Sequence, residues 1–298
     1  MGAMHTNNSN DNHSNDAPRS DDLILVAGGN GKTGRRVADR IHALDLPLRV
    51  GSRRSAPRLD WHEPATWDLA LDGVTAVYIA YSPDLAFPGA ADTLGAFADA
   101  ARRHGVQRLV LLSGRGEEEA VVSEDAVRAA YPSATVLRSS LFAQDFSEHF
   151  LLGPVLDGVI TMPAGDVVEP FIDAGDIADV AVAALTTADH AGGTYELTGP
   201  ELLSFADVAQ ELSRATDREV TYLDVSPEEY AAGAIAAGVP AEEVGPLTDL
   251  LTRVFDGRNA SLTADVERVL GRPARRFSTF ATEAAATGIW DLPAQEAV

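Results

Sequence analysis

The stretch Leu23-Ile24-Leu25-Val26-Ala27-Gly28-Gly29-Asn30-Gly31-Lys32-Thr33-Gly34 reads as a short apolar strand, a tight turn and the opening of a helix. Gly28, Gly31 and Gly34 have the spacing of a dinucleotide-binding loop in the context that such a loop requires. One glycine permits the turn, another lets backbone N–H groups approach a pyrophosphate, and the third lets helix and strand pack closely. The helix N-terminus adds partial positive charge. Gly28, Asn30, Gly31, Lys32, Thr33 and Gly34 are therefore candidate cofactor-binding residues. A rival reading takes Asn30-Gly31-Lys32-Thr33 as the end of a triphosphate loop, Gly-x4-Gly-Lys-Thr. That pattern needs glycine where Val26 stands, leaves Gly34 without a role, and finds only Asp60 as a poor candidate for magnesium.

Outward from this loop, apolar runs at Leu23–Ala27, Leu46–Gly51, Ala76–Ala80, Arg108–Ser113 and Thr135–Arg138 alternate with helix-like segments at Lys32–Leu44, Ala90–His104 and Glu117–Ala130. Continuously apolar strands separated by helices predict a parallel sheet covered on both faces. Right-handed crossovers then give an α/β, doubly wound Rossmann fold. After Phe142 the pattern is less regular. Short strands are expected at 169–173, 194–198 and 219–224, a helix at 176–187, and a helix at 205–215 capped by Ser204. From Pro227 to Ile289 the chain reads as mostly helical, with breaks at Gly238, Pro240, Gly245, Gly257 and Gly271. The expected plan is a polar, disordered tail at 1–21, a dinucleotide-binding domain at 22–155, and a small, mostly helical C-terminal substrate region at 156–298. Within the last, 169–198 is expected to return to the Rossmann core.

The second strand ends in Gly51-Ser52-Arg53-Arg54. NAD-preferring sites carry Asp or Glu here for the ribose 2′-hydroxyl, whereas arginines suit a 2′-phosphate. Arg53, then Arg54, with the neighbouring Ser52, point to NADPH over NADH; the competing reading is an exposed pair on an arginine-rich chain. Asp60, placed after a third strand, is expected either near the adenine or as an ordinary turn residue.

Composition narrows the chemistry. The 298 residues are 45% hydrophobic and carry a formal net charge of −22. Such acidity disfavours nucleic-acid partners. No apolar run is long enough for a membrane span, and no apolar signal segment opens the chain, so a cytoplasmic protein is expected. With no cysteine, disulfides, thiolate nucleophiles and cysteine zinc sites are excluded. No metal-ligand spacing stands out. The expected partner is a small-molecule substrate, with the protein a monomer or homodimer.

With these residues in hand, the chain resembles the NmrA-like, atypical short-chain dehydrogenase/reductase family. The resemblance runs from Asp22 to Ile289. It rests on the glycine loop, Gly51 to Arg54, Tyr78-Ile-Ala-Tyr-Ser-Pro83, Leu111-Leu-Ser-Gly114, Leu137-Arg-Ser-Ser-Leu-Phe-Ala-Gln-Asp145, Glu169-Pro-Phe-Ile-Asp-Ala-Gly-Asp-Ile-Ala178 and Tyr195-Glu-Leu-Thr-Gly199. It implies a Rossmann domain with a C-terminal region forming a cleft over the nicotinamide, and either quinone- or dye-reducing activity or regulation without turnover. By this resemblance, Tyr81, Ser82 and Pro83 follow strand 4 beside the cofactor. Ser113 and Gly114 end strand 5 near the nicotinamide ribose. Phe142, Ala143 and Gln144 follow strand 6 and flank the nicotinamide. Asp145 stands where many relatives carry Asn.

Lys32 is the only lysine among 23 basic side chains. Short-chain dehydrogenases use Tyr-x-x-x-Lys, in which the lysine lowers the tyrosine pKa. None of the six tyrosines stands four residues before Lys32, so that catalyst is absent. Hydride addition to an ordinary ketone makes an alkoxide that needs a strong, positioned acid. A quinone or conjugated enone gives a delocalised anion, and a cationic dye becomes neutral. The expected activity is NADPH-dependent reduction of a conjugated acceptor. Candidate proton donors are Tyr81, Ser113 and His149, each with a competing structural reading. The alternatives are a cofactor-sensing regulator and a non-redox lyase or isomerase on the same fold.

Overall fold

A computed structural model describes residues 22–292; the expected tail at 1–21 lies outside the described residues. The strands are β1 (Leu23–Ala27), β2 (Leu48–Gly51), β3 (Val74–Ile79), β4 (Arg108–Gly114), β5 (Thr135–Ser139), β6 (Val159–Met162), β7 (Val168–Glu169), β8 (Thr194–Leu197), β9 (Leu203–Ser204) and β10 (Thr221–Asp224). The helices are α1 (Lys32–Ala43), α2 (Trp67–Leu71), α3 (Ala90–Arg103), α4 (Glu118–Ala130), α5 (Asp145–Glu148), α6 (Leu152–Asp157), α7 (Ala174–Thr186), α8 (Phe205–Thr216), α9 (Pro227–Ala236), α10 (Ala241–Val254), α11 (Asp265–Leu270) and α12 (Phe277–Ala286).

Six strands form one parallel sheet in the order β2-β1-β3-β4-β5-β8. Along β1 and β3 alternate residues feed opposite faces. Leu25, Val77 and Ile79 pack under α3 and α4 with Leu94, Phe97 and Val127. Ile24, Val26, Ala76 and Tyr78 meet Val37 and Ile41 of α1 and Ile177, Ala181 and Leu185 of α7 on the other face. The order reverses between β1 and β3. In open α/β sheets the crevice at the carboxyl ends of such strands is where ligands bind.

A second core, beyond the sheet, is aromatic. Phe146, Phe171, Phe205 and Phe277 meet edge-on or tilted, with Phe146 and Phe277 5.4 Å apart at 90°. Around it stand the β6–β10 parallel pair, the β7–β9 antiparallel pair and helices α8 and α12. Ser204 starts α8 with a capping box: its hydroxyl accepts from the Asp207 N–H while Asp207 accepts from the Ser204 N–H.

Several sequence expectations are corrected. Among the described residues no strand lies between β2 and β3, so Asp60 follows β2 on a loop and the later strands each move down one place. Tyr81 to Pro83 follow β3, Ser113 and Gly114 end β4, and Phe142 to Gln144 follow β5. The expected strand at 169–173 is only β7 plus an isolated Phe142–Ile172 bridge, because Pro170 has no N–H to continue a ladder. Gly245 does not break the chain; α10 runs through it. Val244 and Leu251 are buried there and Leu247 packs on the second core, and this apolar stripe outweighs a glycine penalty of about 1 kcal/mol.

Candidate functional site: a cleft across the strand ends

The carboxyl ends of β1, β2, β3, β4 and β5 open into a cleft of about 1970 Å³. Its floor begins at the glycine loop. Gly28 has φ +86°, and a Cβ there would strike the Ala80 carbonyl. A Cβ on Gly34 would strike the Gly28 carbonyl. These two positions thus require glycine, one for backbone conformation and close approach to β3, the other for packing α1 against the turn. Gly31 is the N-cap of α1, with no side chain capping it and no acid in the first turn. The first amides of α1 have no carbonyl within the helix to bond, so the helix presents an uncompensated positive end. This cradle fits a dinucleotide pyrophosphate.

Lys32 does not stand free. It forms an ion pair with Asp145, the first residue of α5, and its ammonium lies 5.4 Å from the Phe142 ring centre. Arg36 pairs with Glu148 at 2.6 Å, and Arg35 pairs with the same carboxylate. Together these pairs tie the start of α1 to the segment after β5.

Gly28, Asn30, Gly31, Lys32, Thr33, Ser52, Arg53, Arg54, Asp60, Tyr81, Ser82, Pro83, Ser113, Gly114, Phe142 and His149 all line the cleft. Arg53 and Arg54 are exposed there, and neither guanidinium has a partner among the described residues. Asp60 accepts from the His62 N–H at 3.1 Å and from Arg58 at 2.6 Å, and these bonds hold its carboxyl below the usual range. Two expected residues stand apart. Gly34 packs beneath the loop. Gln144 is buried and accepts from the Ala174 N–H at 2.7 Å, joining the β5 exit to α7 instead of facing the cleft.

The candidate proton donors differ in availability. Ser113 is buried and donates its only proton to Glu124 at 2.6 Å; Glu124 in turn holds Arg138 through both oxygens. Tyr81 packs on Trp61, with ring centres 5.3 Å apart. His149 is exposed, with Nδ1 3.8 Å from Asp145. Burial and then the Lys32 charge lower its pKa, with Asp145 opposing, which favours the neutral imidazole.

The far wall was not legible in the sequence. Tyr230, Ala234 and Ala237 from the α9 segment, with Leu247, Leu251, Val254 and Phe255 from the α10 segment, give it an apolar surface. Two polar groups were also missed. Ser140, at the exit of β5, is 4% exposed and its Oγ has no hydrogen-bond partner among the described residues. Glu117 precedes α4, yet its side chain does not cap the helix. Its carboxyl lies where a Cβ on Gly114 would be. Burial, then the charges of Asp84 and Glu119, push its pKa up to about 7, with Arg253 opposing. Its position three residues past Ser113-Gly114 was the available signal.

Over 286 residues the chain is 33% identical to an uncharacterized oxidoreductase of Bacillus subtilis, spanning 90% of this chain and 97% of that protein. It belongs to the NmrA-like family of atypical short-chain dehydrogenases/reductases. It is an NAD(P)-binding oxidoreductase of that family. No protein-family model matches the chain. An NAD(P)H azoreductase of Xenophilus azovorans is 30% identical over 292 residues, covering 89% of this NmrA-like chain and 98% of that one. An NADPH-dependent quinone oxidoreductase of Escherichia coli superposes with a TM-score of 0.73 at 19% identity, covering 88% of this chain and 98% of that one.

Proposed function

We propose that this NmrA-like protein uses NADPH to reduce a quinone or another flat, conjugated small molecule. The observation that carries the reading is one continuous cleft. It begins at the glycine loop and Arg53–Arg54 and ends against the apolar wall of α9 and α10, in a chain with no Tyr-x-x-x-Lys pair. The azoreductase and quinone oxidoreductase relatives support it by their named acceptors, both conjugated.

In this reading Gly28, Asn30, Gly31, Lys32 and Thr33 hold the pyrophosphate, and Arg53 with Arg54 holds the 2′-phosphate through charge-assisted bonds. Tyr81, Ser82, Pro83, Ser113, Gly114 and Phe142 bound the nicotinamide end. The bound cofactor supplies a hydride. The protein supplies position and excludes water, for which an apolar wall suffices when the acceptor stabilises its own anion.

The test is NADPH oxidation, followed spectroscopically, across a panel of quinones, azo dyes and conjugated enones. Turnover with at least one acceptor, faster with NADPH than NADH, is expected. Tight cofactor binding with no turnover anywhere in the panel would move the protein to the regulatory class.

A further inference from the structure

The reductase reading leaves a proton unassigned. A neutral acceptor that takes up a hydride becomes an anion, and its product needs one proton. Among the groups named from the sequence, Ser113 has its proton committed to Glu124. Tyr81 is half-buried with its ring packed on Trp61, and its hydroxyl has no hydrogen-bond partner among the described residues to activate it. His149 sits at the exposed rim after α5, where burial and the Lys32 charge lower its pKa and disfavour the proton-carrying form.

Glu117 is placed differently. It lines the cleft between Gly114 at the end of β4 and Asn259, which lies against Gly116. Its carboxyl rests over the Cα of Gly114 in space that only a glycine leaves open. It makes no hydrogen bond or ion pair among the described residues. Although it stands at the N-cap of α4, its side chain does not cap the helix. The charged groups that act on it are Asp84 from the β3–α3 loop, Glu119 on α4 and Arg253 on α10. Arg253 is already paired with Glu119 at 2.6 Å. Two carboxylates and a neutralised arginine therefore surround an otherwise unbonded carboxyl.

Resting on the reductase reading, we propose that Glu117 is the proton donor of the reaction. The acceptor gains two electrons and one hydrogen as a hydride and is reduced, while the nicotinamide is oxidised. The resulting oxyanion takes the proton from the Glu117 carboxyl, forming the product O–H bond and leaving Glu117 as a carboxylate. Water at the cleft mouth returns a proton before the next turnover. A carboxyl whose pKa is about 7 is half protonated at neutral pH, which is the range in which general acids work best.

The test compares wild type with Glu117→Gln on two acceptors: a neutral quinone, which needs the proton, and a carbocationic dye, which a hydride alone neutralises. The quinone rate should fall by about 10²-fold or more, and the wild-type loss of rate above pH 7 should disappear. The dye rate and the dissociation constant of NADPH should hold. Gly114→Ala, whose methyl occupies the carboxyl's space, should lower the quinone rate by a smaller factor. A readout independent of turnover is the infrared carbonyl band of a carboxylic acid. In wild type minus Glu117→Gln spectra it should vanish with a midpoint near pH 7. An undiminished quinone rate, an equal loss on both acceptors, or a midpoint near pH 4.5 overturns the assignment. Wild type inert toward both acceptors overturns the reductase reading, and the assignment with it.

Discussion

Lys32 and Asp145 pair across 113 residues of chain, and the pair places a carboxylate at the cradle where phosphate is expected. The two side chains are 22% and 11% exposed, so solvent screens the pair only in part. Asp145 holds the ammonium beside α1 and also cancels its charge. Asp145→Asn should therefore strengthen NADPH binding roughly fivefold, about 1 kcal/mol for one opposing charge near the phosphates. Lys32→Ala should weaken it at least about tenfold, because the unpaired carboxylate then faces the anion. Calorimetric titration checks both. Equal affinities for wild type and Asp145→Asn would show that this carboxylate does not feel the phosphates.

Arg53 and Arg54 are unpaired in the described structure, unlike Arg35, Arg36 and Arg40, which have carboxylate partners. A guanidinium with no internal partner on a cleft wall is available to a phosphate. Replacing both with Ala should weaken NADPH by roughly 10- to 100-fold, one or two charge-assisted bonds, and change NADH by less than about twofold. A parallel loss for both cofactors would remove the 2′-phosphate assignment.

Local code carried much of this fold into the sequence. The glycine spacing, the alternation of Ile24, Leu25 and Val26 between two helical layers, and Ser204 with Asp207 all act over a few residues. What stayed hidden depends on distant contacts. Glu117 read only as the start of a helix-like segment, because that pattern is local, while the space its carboxyl fills depends on Gly114 lacking a side chain and the charge acting on it comes from distant Asp84. Asp145 stood out as a departure, but its partner lies on α1. Helices were expected at 227–289, yet nothing in their own periodicity says that α9 and α10 wall the cleft. Gly245 and the 169–173 segment failed in opposite directions: packing overrode a weak helix penalty, and a missing N–H at Pro170 cut a strand short.

Ser113 separates a structural from a chemical role cleanly. Its hydroxyl serves a buried carboxylate that keeps its three bonds from Arg138 when the hydroxyl is removed. Ser113→Ala should cost about 1–3 kcal/mol of stability, the range for a hydrogen bond to a charged group. It should leave kcat within about threefold of wild type. Denaturant unfolding and steady-state rates on the same preparation measure both. A rate loss beyond tenfold with unchanged stability would return Ser113 to the chemistry.

Glu169 gives the fold a pH dependence with a definite sign. It is 1% exposed, and neither carboxyl oxygen has a hydrogen-bond partner among the described residues. Burial pushes its pKa up to about 7, with Arg115 opposing and Asp256 adding to the rise. Between the ordinary value of 4.5 and about 7, the folded state holds a proton that the unfolded chain has released. Stability therefore declines as pH rises through that window and levels off above it. Fully developed, the cost is on the order of 3 kcal/mol. Glu169→Gln resembles the protonated form. It should match wild type near pH 4.5 and exceed it at pH 8 by up to about 3 kcal/mol. Glu117 titrates in the same window, so a residual slope remains in Glu169→Gln and shrinks further in the double variant with Glu117→Gln. Urea unfolding at a series of pH values provides the curve. A variant no more stable than wild type at pH 8 would mean that Glu169 ionises at its ordinary value, with water or a counter-charge reaching it inside the second core.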